Sequence, residues 1–278
     1  MNEKASIEYE YNPHVHVPDV ARYVEDAAEA SRKARERVTG VYDVAYGQRP
    51  LMTCDIFPAG PDAPVHAFFH GGYWRGRDKA DYSFMAPVFQ DAGVTLVLPN
   101  YSLCPDVNLE TIVAETASFF HWLAGNIREH GGNPDRITAS GHSAGAHLVA
   151  MAHAADRADA PPPGLVRKAL LISGLYDLRP VAETTVNADI GLTDTTVRQL
   201  SPIHHLPHRA LELVLYVGGG ETQSWIGQSR DFLEVLQRAG HTASLEVLGD
   251  YNHYSIAAEL GDGRSLLARA CVEAARSV

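Results

Sequence analysis

An α/β fold, a mostly parallel twisted sheet of about eight strands with helices on both faces and a small cap, is what this chain of 278 residues predicts. Three observations lead there. From residue 65 onward, short apolar β-like runs alternate with longer stretches of helical periodicity, the pattern of parallel strands joined by crossover helices. Arg136-Ile137-Thr138 leads as a strand into Ala139-Ser140-Gly141-His142-Ser143-Ala144-Gly145, and a helical run follows at once. A second apolar run, Pro64 to Phe69, ends abruptly in His70-Gly71-Gly72-Tyr73-Trp74.

The elements follow in order. Residues 1–37 form an N-terminal helical segment, with an Ala- and charge-rich helix over 19–36 that lies over or beside the site; His14-Val15-His16 reads as solvated and extended. Residues 41–58 give a two-strand meander turning at Gly47-Gln48-Arg49-Pro50. Then come a strand at 65–70, a helix at 79–92, a strand at 94–99, a helix at 109–130, a strand at 136–140, the helix after Ser143, and a strand at 167–173. A long insert over 175–210 suits a small cap above the substrate. Leu211 to Gly218 and Thr242 to Leu248 supply the last two strands, so residues 1–278 read as one domain. Ligands of such sheets bind beyond the carboxyl ends of the strands, where the motif loops converge.

Those loops carry chemistry. Gly141 and Gly145 permit a sharp strand-to-helix turn that holds the Ser143 hydroxyl out as a nucleophile. The amides of Gly71, Gly72 and Ala144 are placed to face a developing alkoxide as an oxyanion hole. The acid and the base are expected after the serine, each following a strand. Glu221 follows the run ending at Gly218, and His253 follows the run ending at Leu248. Asp250, three residues before His253, competes with Glu221 for the acid role. Tyr73, Trp74, Tyr101, His142, Trp225 and Tyr254 cluster near strand ends as candidate substrate-binding residues, and they favour a small, flat or aromatic substrate over a long lipid chain.

The motifs His70-Gly71-Gly72-Tyr73-Trp74, Gly141-His142-Ser143-Ala144-Gly145, Ser173-Gly174-Leu175-Tyr176-Asp177-Leu178 and Gly218-Gly219-Gly220-Glu221, with Glu8-to-Asn12 near the start, resemble the bacterial branch of kynurenine formamidase-like (arylformamidase-like) α/β-hydrolases. The resemblance spans nearly the whole chain, and its most specific element is the pentapeptide at 70–74. It implies an α/β-hydrolase fold and a cofactor-free hydrolase with the triad Ser143, Glu221 and His253, acting on an N-formylkynurenine-like aryl formamide or a related amide. Glu221 stands where animal members carry Asp, and a Glu serves the same role in other Ser-His-Glu hydrolases. Members also act on esters, so a carboxylesterase for small or aromatic esters is the alternative. A catalytically silent ligand-binding protein on the same fold is the reading from another class.

Composition restricts the remaining functions. A formal charge of −11 opposes nucleic acid and anionic membranes as partners, which leaves a small-molecule substrate and, as the one protein assembly considered, a homodimer. No apolar run reaches the ~20 residues of a membrane span, and the first residues lack an apolar secretion signal, so the cytoplasm is the expected compartment. Cys54, Cys104 and Cys271 are widely spaced and odd in number, which suits reduced packing residues. No metal and no cofactor are expected. The histidines at 204, 205 and 208 lack acidic or cysteine partners at ligand spacing, and Gly218-Gly219-Gly220 does not open the helix a dinucleotide would use. The basic cluster Arg75, Arg77 and Lys79 reads as solvated surface, placed where it could also attract an anionic substrate.

Overall fold

The computed structural model describes residues 3–278, so the first two residues of the expected 1–37 segment lie outside the described residues. Eight strands form one sheet: β1 (Val41–Ala45), β2 (Thr53–Phe57), β3 (Ala63–Phe69), β4 (Thr95–Pro99), β5 (Gly132–His142), β6 (Val166–Ile172), β7 (Glu212–Gly218) and β8 (Ala243–Leu248). Their spatial order is β1-β2-β4-β3-β5-β6-β7-β8. The meander β1–β2 joins the edge of β4 antiparallel, and every pair from β4 to β8 is parallel.

The period of two along the central strands explains why both faces must be covered. Val65, Ala67 and Phe69 of β3, Ala169 and Leu171 of β6, and Leu213, Leu215 and Val217 of β7 enter one core. Their neighbours Phe68, Leu170, Ile172, Val214 and Tyr216 enter a second core on the opposite face. The longer helices among the described residues are α1 (Glu3–Tyr11), α2 (Val20–Arg37), α3 (Leu109–Asn126), α4 (Ala144–Ala152), α5 (Gln223–Arg238) and α6 (Leu266–Ser277). Helices α3, α4 and α5 send their apolar stripes into the first core, and α6 sends Leu267 and Cys271 into the second. Side-chain caps fix several starts: Asn108 accepts from Thr111 N, Thr222 from Trp225 N and Ser265 from Ala268 N.

Several expectations change. The helix expected over 79–92 is a 3-10 helix, Lys79–Met85, followed by one α-turn and a half, Ala86–Asp91. Pro87 lacks the N–H that a continuous helix would need. Residues 13–16 are a helical turn rather than extended, with Asn12 accepting from His14 N at its start. Lys79 is not solvated surface. Its Nζ is buried 2.9 Å from Asp55 Oδ1 and 2.6 Å from Asp43 Oδ1, while Arg35 of α2 pairs with the same Asp55. Together with Ser31 Oγ, which donates to Asp81 O at 2.7 Å, this network pins α2 onto the 79–85 segment.

The insert over 175–210 does not cap the cavity. Leu175, Tyr176, Leu178, Val181, Val186 and Ile190 are buried in the first core, so their apolar surface draws the insert inward. The Gln228 side chain of α5 fixes its start, accepting from Tyr176 N and Asp177 N at 2.8 Å each and donating to Asp177 O at 2.8 Å. The roof of the cavity is supplied by α2 and the 13–16 turn.

Candidate active site

Parallel pairing places the ends of β3, β5, β7 and β8 side by side, and three loops bring the expected polar groups together. After β5, the chain turns through Ser143 with φ 56° and ψ −120°, a strained conformation for an L residue. Small neighbours make the turn possible. A Cβ on Gly141 would stand 2.3 Å from the Gly145 carbonyl carbon, and one on Gly145 would stand 2.0 Å from Phe69 O. Both glycines are therefore required by close approach: the start of α4 is pressed against the end of β3.

The loop after β7 closes on the loop after β8 for the same reason. Cβ atoms on Gly218, Gly219 and Gly220 would lie 2.0, 2.1 and 2.5 Å from the carbonyl oxygens of Tyr251, Gly249 and Asp250. This triple glycine is a backbone-to-backbone seam. It delivers Glu221 to His253, with Oε2 2.7 Å from Nδ1. The remaining Glu221 oxygen accepts from Gly218 N at 2.9 Å and from the Ser173 hydroxyl. A carboxylate only accepts, so the proton on the His253 ring is at Nδ1 and Nε2 is left as the acceptor. Ser143 Oγ lies 3.0 Å from that Nε2. All three side chains are buried, and Ser143 and His253 form part of the cavity wall. Asp250 is exposed, and only its backbone carbonyl reaches this seam.

The loop at 70–74 approaches from the other side. A Cβ on Gly71 would sit 3.1 Å from Ser143 Cβ, so this backbone runs directly beside the hydroxyl. Tyr73 and Trp74 both have positive φ, 52° and 56°, in the left-handed region. His70 braces the loop, with Nε2 3.1 Å from Asn100 Oδ1 and its carbonyl accepting from Tyr101 OH at 2.7 Å. Burial raises the Tyr82 phenol pKa, and Arg77 and the Gly71 N–H act against that rise. The amides of Gly71 and Gly72 in this loop, with that of Ala144, first residue of α4 with no acceptor one turn earlier, are the three expected oxyanion donors.

The cavity beside Ser143 has a volume of about 960 Å³ and is walled by the 71–77 loop, His142, Tyr254 and α2. Of the six expected substrate-binding residues, Tyr73, His142 and Tyr254 line it. Trp74, Tyr101 and Trp225 do not; they are fully buried behind it. Trp74 packs edge-on against His147 at 4.8 Å, and Tyr101 stacks on His70 at 4.4 Å. The Trp225 ring lies 4.3 Å from His253, and its Nε1 donates to Ser173 O at 2.8 Å. Large rings prefer full burial, and at these strand ends that places them as supports. His142 is buried with neither ring nitrogen hydrogen-bonded, and burial followed by the nearby His253 holds its pKa well below the ordinary value.

Ser173 is the residue that sequence reasoning left without a role. It follows β6 directly, at φ 49°, and ties Trp225 to Glu221. Its signal was its position one residue past a strand, in a motif noted only as a resemblance. Among the described residues no cluster of His, Cys, Asp and Glu is arranged to hold a metal, and no helix is long and apolar enough to cross a membrane. His205 is engaged by Asp156 at 2.7 Å and by Arg198 O at 3.0 Å. The three cysteines are buried and free.

A family model described as alpha/beta hydrolase fold matches residues 66–212, more than half of the chain. The chain belongs to the α/β-hydrolase family. Among curated relatives of this α/β-hydrolase, the kynurenine formamidase of Danio rerio is 27% identical over 93% of this chain and 90% of its own. That of Salmo salar is 27% identical over 88% and 85%. A crystal structure provisionally assigned as a thioesterase, from Silicibacter sp. tm1040, superimposes with a TM-score of 0.83 at 25% identity, covering 95% of this chain and 97% of the other. The resemblance read from the motifs thus extends along most of the α/β-hydrolase chain.

Proposed function

We propose that this α/β-hydrolase is a cofactor-free serine hydrolase that cleaves a small aryl formamide, of the N-formylkynurenine kind, through an acyl-enzyme. The observation that carries the reading is the continuous relay from Ser143 Oγ to His253 Nε2 at 3.0 Å and from His253 Nδ1 to Glu221 at 2.7 Å, with the serine on a strained elbow. His253 takes the Ser143 proton as Oγ attacks the carbonyl carbon, and Glu221 stabilises the imidazolium that forms. The amides of Gly71, Gly72 and Ala144 receive the charge that develops on the carbonyl oxygen. As the tetrahedral intermediate collapses, the C–N bond breaks and His253 delivers its proton to the departing amine. Water then repeats the sequence on the formyl-serine, releasing formate.

The formamide assignment is supported by the curated kynurenine formamidases, whose similarity covers most of both chains. The aromatic wall of Tyr73, Tyr254 and, behind it, Tyr23 stacked on Tyr254 at 5.9 Å suits a flat ring in the leaving group. Small esters pass through the same acyl-enzyme and form the second reading, for which the cavity of about 960 Å³ beside Ser143 has room. The experiment is kcat/KM for N-formylkynurenine beside short p-nitrophenyl esters. A preference of tenfold or more for the formamide, after allowing for the ester's better leaving group, is expected; turnover of esters alone would overturn the assignment.

A further inference from the structure

We propose that Arg77 anchors an anion-binding subsite in the cavity, so that the preferred substrates carry a carboxylate remote from the carbonyl that Ser143 attacks. This rests on the acyl-transfer reading for the reaction but on separate observations for the subsite. Arg77 follows the 70–74 loop, held at φ 75°, and is half-buried in the wall that also contains Ser143 and His253. A Cβ on Gly72 would stand 2.9 Å from Arg77 Cγ, so the aliphatic stem lies against the loop that presents the Gly72 amide. Among the described residues its guanidinium makes no ion pair, although the chain as a whole carries −11.

The other charges lining the cavity are mostly matched. Arg75 pairs with Asp189, Lys33 with Glu29, Asp26 with Arg22, and Asp262 with Arg264. Left over are Arg77 and Arg37 against Asp81, so a net-acidic protein encloses a cavity with a surplus of positive charge. The Arg77 charge reaches into the site: it opposes protonation of His14 and His142 and favours ionisation of Tyr82 and Tyr254, each secondary to burial. In the same wall, buried His142 has neither ring nitrogen partnered, and as a neutral imidazole it holds one unused N–H donor. A half-buried, unpaired guanidinium in a cavity wall is built for a carboxylate, which it binds through two parallel N–H donors.

The test compares Arg77→Gln with the unaltered protein on pairs of similar shape that differ in one carboxylate. The desamino analogue of N-formylkynurenine, 4-(2-formamidophenyl)-4-oxobutanoate, is paired with its primary amide, and mono-p-nitrophenyl succinate with p-nitrophenyl butyrate. Binding of 4-phenylbutyrate and 4-phenylbutyramide is measured by calorimetry, which needs no turnover. The unaltered protein should favour the anionic member of each pair, and Arg77→Gln should cost the anions about tenfold while leaving the neutral members unchanged. Each neutral member thereby reports on folding. Equal losses on both members, or no preference for the anion at the outset, would overturn the subsite. Selective anion binding without hydrolysis of any substrate would support the subsite and defeat the acyl-transfer reading instead.

Discussion

Ser143 occupies a backbone conformation that costs energy, and its hydroxyl faces both His253 and the cavity. Replacing it with Ala removes one oxygen and leaves the elbow, so Ser143→Ala should fold normally and lose about 10⁴-fold or more in kcat. Steady-state assay together with a thermal melt checks both halves. The acid can be identified in the same way. Glu221→Gln keeps the size of the side chain but removes the charge that holds His253, with an expected loss in kcat of about 10⁴-fold, whereas Asp250→Asn alters an exposed side chain and should be nearly silent. The reverse ranking would move the acid to Asp250. Ser173→Ala is milder: it takes one donor from a buried carboxylate that keeps Gly218 N, so kcat should fall about tenfold with little change in KM. Ser143, Glu221 and His253 were legible because each follows a strand in the expected order. Ser173 was not, because a serine that only hydrogen-bonds a carboxylate has no spacing rule to announce it.

Glycines decide how the elements meet. Gly145→Ala drives a methyl into Phe69 O, a backbone atom that cannot swing aside, and should cost about 3 kcal/mol or more, lowering Tm by about 6–12 °C. Gly227→Ala, in the interior of α5 with nothing within 4 Å, should instead stabilise by about 0.5–1 kcal/mol. Parallel melting curves of the two variants test the distinction between a glycine needed for close approach and one merely tolerated. The strands were legible to within a few residues, since buried parallel strands are short apolar runs bounded by turns. Less was legible where tertiary contact sets the outcome. The insert over 175–210 has the length of a cap, but its apolar residues belong to the core. Trp74, Tyr101 and Trp225 stand near the site in sequence, yet the space behind it is what they fill. Position near a strand end does not say which side of the loop a ring will take.

The buried histidines give the molecule a definite response to acid. Burial lowers His66 to about 3, and it lowers His147 and His153 to about 4 despite the opposing pull of the Leu200 and Val149 carbonyls. In the unfolded chain each titrates near the ordinary value of about 6.5. Below that pH the unfolded state binds protons that the folded state refuses. The stability they permit is therefore fully present above about pH 6.5 and is lost as pH falls toward 4, by up to about 1.4 kcal/mol per pH unit for each group. Urea midpoints should fall steadily between pH 7 and pH 5. His147→Gln, which keeps a donor for Leu200 O, should reduce that slope; a midpoint independent of pH would contradict the burial argument.

In the proposed mechanism Ser143 is the nucleophile and His253 activates it. The most direct test is mass spectrometry after exposure to a fluorophosphonate, with the modified peptide mapped. The expected result is a single adduct on Ser143, complete loss of hydrolysis when labelling is complete, no adduct in Ser143→Ala, and labelling slowed by orders of magnitude in His253→Ala. Hydrolysis that continues in fully labelled protein, or an adduct on any other residue that accounts for the inhibition, would contradict it.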